Sequence, residues 1–218
     1  MKKSFILLAL VLCFCVSYGQ QKSYVFVFLN KKTTQAQELS KEEVDKLMQG
    51  HMANIERLAK EGKLLAAGPF EGGGGLFIMN TTSIDEAKEW IGTDPGIKAN
   101  RWDVEVYPYQ PRVGGICPVG EKYEMTNYSF IRFTAQVSKF TASTYPQIIK
   151  KHDDYLKQLV NTGNVVTEAI FGPNDGGILI MKGDVQRSVF ENDPGVQEAL
   201  IDLTIKKLYI AKGSFCEK

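Results

Sequence analysis

At 218 residues, with 44% hydrophobic and 23% charged side chains, the chain has the composition of an ordinary globular protein, with room for one large domain or two of about 100 residues. A formal net charge of +1 leaves no basic excess to neutralise phosphates, which argues against nucleic acid as a partner. No stretch reaches the run of about 18 apolar residues that a membrane-spanning helix needs.

The chain opens Met1-Lys2-Lys3, continues with the apolar run Phe5 to Val16 and reaches Ser17-Tyr18-Gly19, with small residues where a signal peptidase inspects. Residues 1–19 therefore read as a secretory signal peptide cut after Gly19, which places the mature protein in a secreted or periplasmic location with no membrane attachment. Loss of Lys2 and Lys3 leaves 24 basic against 25 acidic side chains. Cys13 and Cys15 fall inside the signal, and no small residue precedes them as a lipid-attachment box requires.

Tyr24 to Leu29 is rich in β-branched and aromatic residues and reads as a buried strand. Ser40 stands three residues before Glu43, a capping box that starts a helix running to about Glu61, where Gly62 ends it. Val44, Leu47, Met48, His51, Ile55 and Leu58 share one face of that helix. A short strand, Lys63 to Ala67, leads to Gly68-Pro69 and the glycine run Gly72 to Gly75, a hairpin turn suited to lining a pocket, before the strand Leu76 to Met79. Ser83 caps a second helix containing Ala87 and Trp90, which stops at Gly92 ahead of Asp94-Pro95-Gly96. Trp102, Val104 and Val106 alternate as a closing strand.

From Gln110 to Asn127 the periodicity lapses and Pro111, Gly114, Gly115, Pro118 and Gly120 gather, as in a linker. The same order then begins again. Tyr128 to Phe133 answers the first strand, and Tyr145, Ile148, Ile149, His152, Leu156 and Leu159 repeat the first helix face 101 residues later. Gly172-Pro173, Asp175-Gly176-Gly177, Asp193-Pro194-Gly195 and the alternating Ile201, Leu203 and Ile205 complete the second copy. Its second helix, Asp184 to Asn192, is short and carries Phe190 where the first copy has Trp90, so this copy reads as partly eroded. The expected domains are 22–109 and 128–218, each with its own sheet, joined by 110–127.

The chain's two histidines thus occupy equivalent places on two apolar helix faces, where a core histidine with satisfied ring nitrogens is as good a reading as a catalytic one. Each copy also has an aspartate at a Pro-Gly turn, which by propensity is a turn residue. If the two meet, the carboxylate orients the imidazole and raises its basicity, giving an acid–base pair suited to proton transfer on a small molecule. No cofactor is indicated, and no ligand spacing marks a metal site. Gly72 to Gly75 lacks the Gly-Lys-Ser/Thr of a phosphate loop, and no Gly-x-Ser-x-Gly marks a nucleophile. Arg132 on a strand could hold an anion, but an exposed, solvated arginine is the simpler reading. Cys117 and Cys216 each follow the last strand of their copy, and in an oxidising compartment the pair reads as a disulfide, with two free thiols as the alternative.

The apolar-face histidine, the Gly-Pro after the second strand, the Ala-Lys-Glu-Trp helix, the Asp-Pro turn and the closing strand running to a proline resemble the YciI-like (YCII-related) family. The first copy carries the pattern through His51, Leu58, Gly62, Leu64, Gly68, Pro69, Ala87, Trp90, Asp94, Pro95 and Pro108. The second keeps His152, Leu159, Gly163, Gly172, Pro173, Asp193 and Pro194. The resemblance implies an α+β fold of ferredoxin-like (βαββαβ) units whose sheets pair as a dimeric α+β barrel, here within one chain as a pseudo-dimer. It also implies an active site of His51 with Asp94 and of His152 with Asp193, with Gly68, Pro69 and Trp90 lining the substrate pocket. One similar branch of the family eliminates hydrogen chloride from chlorinated hydroquinones, and related barrels include lactone isomerases and small monooxygenases. The expected function is a small-molecule isomerase or lyase using a His/Asp pair, and the alternative is a non-catalytic ligand-binding or envelope interaction module. The expected partner is a small molecule, and a homo-oligomer is left open.

Overall fold

The structure, a computed structural model, describes residues 22–32, 39–120, 122–139, 141–172 and 176–216. The expected signal peptide, Pro173 and Asp175 lie outside the described residues. Strand β1 (Tyr24–Lys31) is followed by helix α1 (Lys41–Lys60), strands β2 (Leu64–Pro69) and β3 (Gly75–Met79), helix α2 (Ile84–Ile91), the one-turn helix α3 (Pro95–Lys98) and strand β4 (Trp102–Val113). The second half runs β5 (Met125–Ala135), α4 (Tyr145–Asn161), β6 (Val165–Ile170), β7 (Gly177–Met181), a 3₁₀ turn at Arg187–Phe190, the one-turn helix α5 (Pro194–Gln197) and β8 (Ile201–Ala211).

The local signals act where they stand in the sequence. The Ser40 side chain accepts from the Glu43 N–H while the Glu43 carboxylate accepts from the Ser40 N–H, so the capping box at the start of α1 is complete. Ser83 caps α2 through the Glu86 N–H, and Gly92 is its C-cap. The short α3 and α5 were not expected. Asp94 and Asp193 are N-caps with proline at the first helical position, so the turn signal was in fact a helix start.

All eight strands join one antiparallel sheet in the order β2-β3-β1-β4-β6-β7-β5-β8, rather than a separate sheet for each copy. The join is β4, which pairs with β1 over Trp102 to Tyr109 and with β6 over Gln110 to Val113. This strand therefore enters the stretch that reads as linker. Pro108 and Pro111 flank the changeover, where each half of β4 has only one ladder partner and a missing N–H is tolerated.

The two end strands also meet. Phe70 forms a single bridge with Leu208, and the Glu71 N–H donates to the Lys207 carbonyl at 2.9 Å, an arrangement consistent with an α+β barrel. Gly68 makes this approach possible, because a Cβ there would stand 2.7 Å from the Tyr209 carbonyl oxygen. Alternate residues of β1 feed two cores. Phe26 and Phe28 point inward, where Phe26 lies 5.2 Å from Phe171 and Phe28 5.9 Å from Phe130 between ring centroids, so both halves share the interior. Val25, Val27 and Leu29 face outward under Leu58 of α1 and Ala87 and Ile91 of α2, and Ile131 and Phe133 pack likewise with Leu156 and Phe190. A strand buried on both faces explains the unbroken apolar run in the sequence.

Arg132 is not a solvated surface arginine. Its side chain is 16% exposed, its guanidinium sits 4.1 Å from the centre of the Phe28 ring, and it donates to both carboxylate oxygens of Glu105 at 3.0 and 2.7 Å. Cys117 and Cys216 are joined, with Cα atoms 5.2 Å apart, and the Cys117 N–H to Ser214 carbonyl and Cys216 N–H to Gly115 carbonyl bonds flank the link. Among the described residues no helix is long and apolar enough to cross a membrane.

Candidate functional site

Helix α1 delivers His51 to the outer face of the sheet, and the start of α3 delivers Asp94 beneath it. The Nδ1 of His51 lies 2.8 Å from Asp94 Oδ2, with His51 7% and Asp94 0% exposed. The other oxygen, Oδ1, accepts from the N–H groups of Gly96 at 2.8 Å and Ile97 at 3.2 Å. One carboxylate thus caps a helix and holds a histidine. Burial opposes ionisation of Asp94, but the hydrogen bond and charge of His51, with the Ile97 and Gly96 N–H groups, outweigh it and hold the carboxyl below its usual range.

Asn54, one turn along α1 from His51, is buried on the same face and donates to Asp94 Oδ2 at 3.3 Å. Its own Oδ1 accepts from Arg57 at 2.8 Å. Sequence reasoning passed over Asn54 because an asparagine between apolar positions carries no signal by itself; its spacing of three from His51 was the clue. Gly96 has a second duty. A Cβ there would stand 2.3 Å from the Trp102 ring, so the Asp-Pro-Gly sequence combines cap, helix start and the space in which Trp102 packs. The Trp102 ring centroid lies 4.8 Å from that of His51, and Phe77 lies stacked at 5.9 Å.

His51 borders a cavity of about 520 Å³ walled by Met48, Phe77 and Trp102 and by the Gly68-Pro69 turn. Gly73, Gly74 and Gly75 line it as well, so the glycine hairpin does face a pocket. Trp90 does not line this cavity. It packs in the layer between helices and sheet, with Lys63 Nζ 5.4 Å from its ring centre, and Trp102 supplies the indole wall instead. Because Nδ1 is committed to a carboxylate, it carries the ring proton, and Nε2 of the neutral ring presents a lone pair. The pair can take a proton from a bound molecule and stabilise the resulting imidazolium.

The second copy repeats the pair and alters its surroundings. His152 Nδ1 lies 2.6 Å from Asp193 Oδ2, and Asp193 Oδ1 accepts from the Gly195 N–H at 2.9 Å. The place of Asn54 is taken by Tyr155, which donates to the Val189 carbonyl, and Phe133 meets His152 edge-on at 4.8 Å. The cavity here is about 180 Å³, and Arg112 at its wall is bound to both Glu168 and Asp153. Among the described residues no cluster of three or more His, Cys, Asp or Glu side chains could hold a metal ion.

Comparison with known families finds a YCII-related domain at residues 24–110, the stretch that carries His51, Asp94 and most of the wall of the cavity beside them, to which Tyr123, Met125 and Ala211 of the second half also contribute. No curated protein matches the chain.

Proposed function

We propose, taking the YCII-related domain at residues 24–110 as the premise, that this protein is a small-molecule enzyme of isomerase or lyase type working through His51 and Asp94. The observation that carries this reading is a histidine whose Nδ1 is held by a buried carboxylate and whose ring borders a cavity of about 520 Å³. Nε2 accepts a proton from an activated C–H of the bound molecule, and Asp94 stabilises the imidazolium. The proton then returns at another atom of the same molecule, or assists departure of a leaving group. Apolar walls of Trp102 and Phe77 exclude water from the exchange.

The architecture we propose with it is a pair of ferredoxin-like halves, 22–109 and 128–218, joined through 110–127 as an intrachain pseudo-dimeric barrel; what supports it is the single eight-strand antiparallel sheet in which the two copies meet. The second half is a diverged copy whose smaller cavity makes it the lesser site. The setting is a secreted or periplasmic one, with a small molecule as partner.

Proton abstraction can be followed without naming the substrate. A mixture of small metabolites incubated with the protein in D₂O is expected to lose particular C–H signals in the ¹H NMR spectrum as deuterium washes in, and His51→Ala should stop the loss. Identical spectra for the two proteins would overturn the catalytic reading.

A further inference from the structure

The cavity beside His51 has a charge asymmetry that the acid–base pair does not require. Among the described residues its charged lining side chains are Arg101 and Lys31, and no described carboxylate borders it. Asp94 itself is fully buried behind His51 with both oxygens engaged. Arg101 is half-buried at the cavity wall, its Nε is shielded from solvent, and that nitrogen has no hydrogen-bond partner. Leaving a buried guanidinium N–H unmade is costly, and a guanidinium is a planar fork of donors matched to a carboxylate.

The second copy is an internal control. The Arg101 N–H donates to the Gly96 carbonyl at 3.0 Å, and the Leu200 N–H donates to the Gly195 carbonyl at 2.9 Å, so Arg101 and Leu200 occupy equivalent places. The position equivalent to Arg101 is therefore apolar in the second copy and does not line the smaller cavity, and the arginine that does, Arg112, is neutralised by Glu168 and Asp153. An unpaired guanidinium at the wall is thus particular to the first cavity and is not imposed by the fold.

On this basis, and resting on the reading of the His51 cavity as a ligand site, we infer that the cavity takes a small organic carboxylate, its anionic end held by Arg101 and its flat apolar body lying along Trp102 and Phe77 with a C–H presented to His51 Nε2. Lys31, at the glycine hairpin that forms the rim, adds a second positive charge, with no carboxylate among the described residues of the cavity wall. The volume suits a molecule of one ring or a short unsaturated acyl chain.

The test compares phenylacetate with its uncharged isostere phenylacetamide, titrated into the whole mature protein while the His51 ring signals are followed by NMR. The acid is expected to shift those signals and the amide to bind more weakly. Arg101→Gln should weaken the acid by about ten- to a hundredfold, the cost of a charge-assisted hydrogen bond, and leave the amide unchanged. Arg101→Lys should give an intermediate loss because it keeps the charge without the fork. The acid against amide comparison on the unaltered protein is independent of whether either variant folds. Equal binding of acid and amide, unmoved by Arg101→Gln, would overturn the anion inference while leaving the cavity a ligand site. No response of the His51 signals to either compound at millimolar concentration would overturn both.

Discussion

Asp94 binds His51 with one carboxylate oxygen and caps α3 with the other, so the orientation of the histidine and the geometry of the Asp-Pro-Gly turn rest on one side chain. The relation recurs between Asp193 and His152. A carboxylate that serves two groups at once cannot rotate toward either, which fixes the imidazole more firmly than a carboxylate on a free loop would.

Replacing Asp94 separates those duties. Asp94→Ala removes a cap and leaves buried donors unmatched, and should destabilise the protein by about 2 to 4 kcal/mol in urea unfolding. Asp94→Asn keeps an oxygen for the Gly96 N–H, costs less, and turns an amide N–H toward His51 Nδ1. That reverses the tautomer, so ¹⁵N NMR of the ring should show Nδ1–H in the unaltered protein and Nε2–H in the variant, with proton exchange slowed by about 10² to 10⁴. A ring already protonated at Nε2 in the unaltered protein would overturn the assignment.

The Arg132–Glu105 pair has its own acid sensitivity. The hydrogen bonds from Arg132, aided by Tyr107, the Arg132 charge and Asn30, outweigh burial and lower the Glu105 carboxyl to about 2. Since the folded value lies below the unfolded one, this stabilisation is complete above the ordinary glutamate range and disappears as pH falls through about 4.5 to 2. Glu105→Gln should flatten stability against pH across that window. It should also cost about 1 to 3 kcal/mol at neutral pH, less than for a fully buried pair because a third of the Glu105 side chain is exposed. An unchanged acid limb in circular dichroism melts would refute the assignment.

Reduction of the Cys117–Cys216 link, or the double change to alanine, should lower stability by about 2 to 5 kcal/mol, since it frees the 99-residue separation that the bond closes. Equilibrium unfolding with and without reductant measures it, and coincident curves would show that the bond contributes nothing.

The seam between β2 and β8 is sensitive to a single methyl group. Gly68→Ala places a Cβ 2.7 Å from a backbone oxygen and 2.9 Å from Leu208 Cδ1, and should cost about 1 to 3 kcal/mol by forcing the end strands apart. Gly62→Ala meets no neighbouring atom and is strained only by its left-handed backbone at φ 70°, so the two together distinguish crowding from conformation. Amide exchange at Glu71, whose N–H crosses the seam, should rise in Gly68→Ala alone.

What the sequence determined by itself was local. Helix starts at Ser40 and Ser83, the two matched histidine faces and the alternating strands follow from capping chemistry and side-chain period, which act within a few residues. The His51–Asp94 and His152–Asp193 partnerships were named through family resemblance, and their distances follow from the packing of α1 on α3 and α4 on α5. Tertiary structure alone decided the rest. Nothing in the periodicity of β4 announces that it passes from β1 to β6, because a strand's change of partner is set by what stands beside it and not by its own side chains. Arg132 looked like a surface residue because charge predicts exposure on average, whereas here Glu105 and the Phe28 ring replace the water it loses. Trp90 was expected to wall the pocket, and Trp102 does so instead. The strand that starts at Trp102 runs beneath His51, and the helix that holds Trp90 does not, a choice made by the packing of the whole chain.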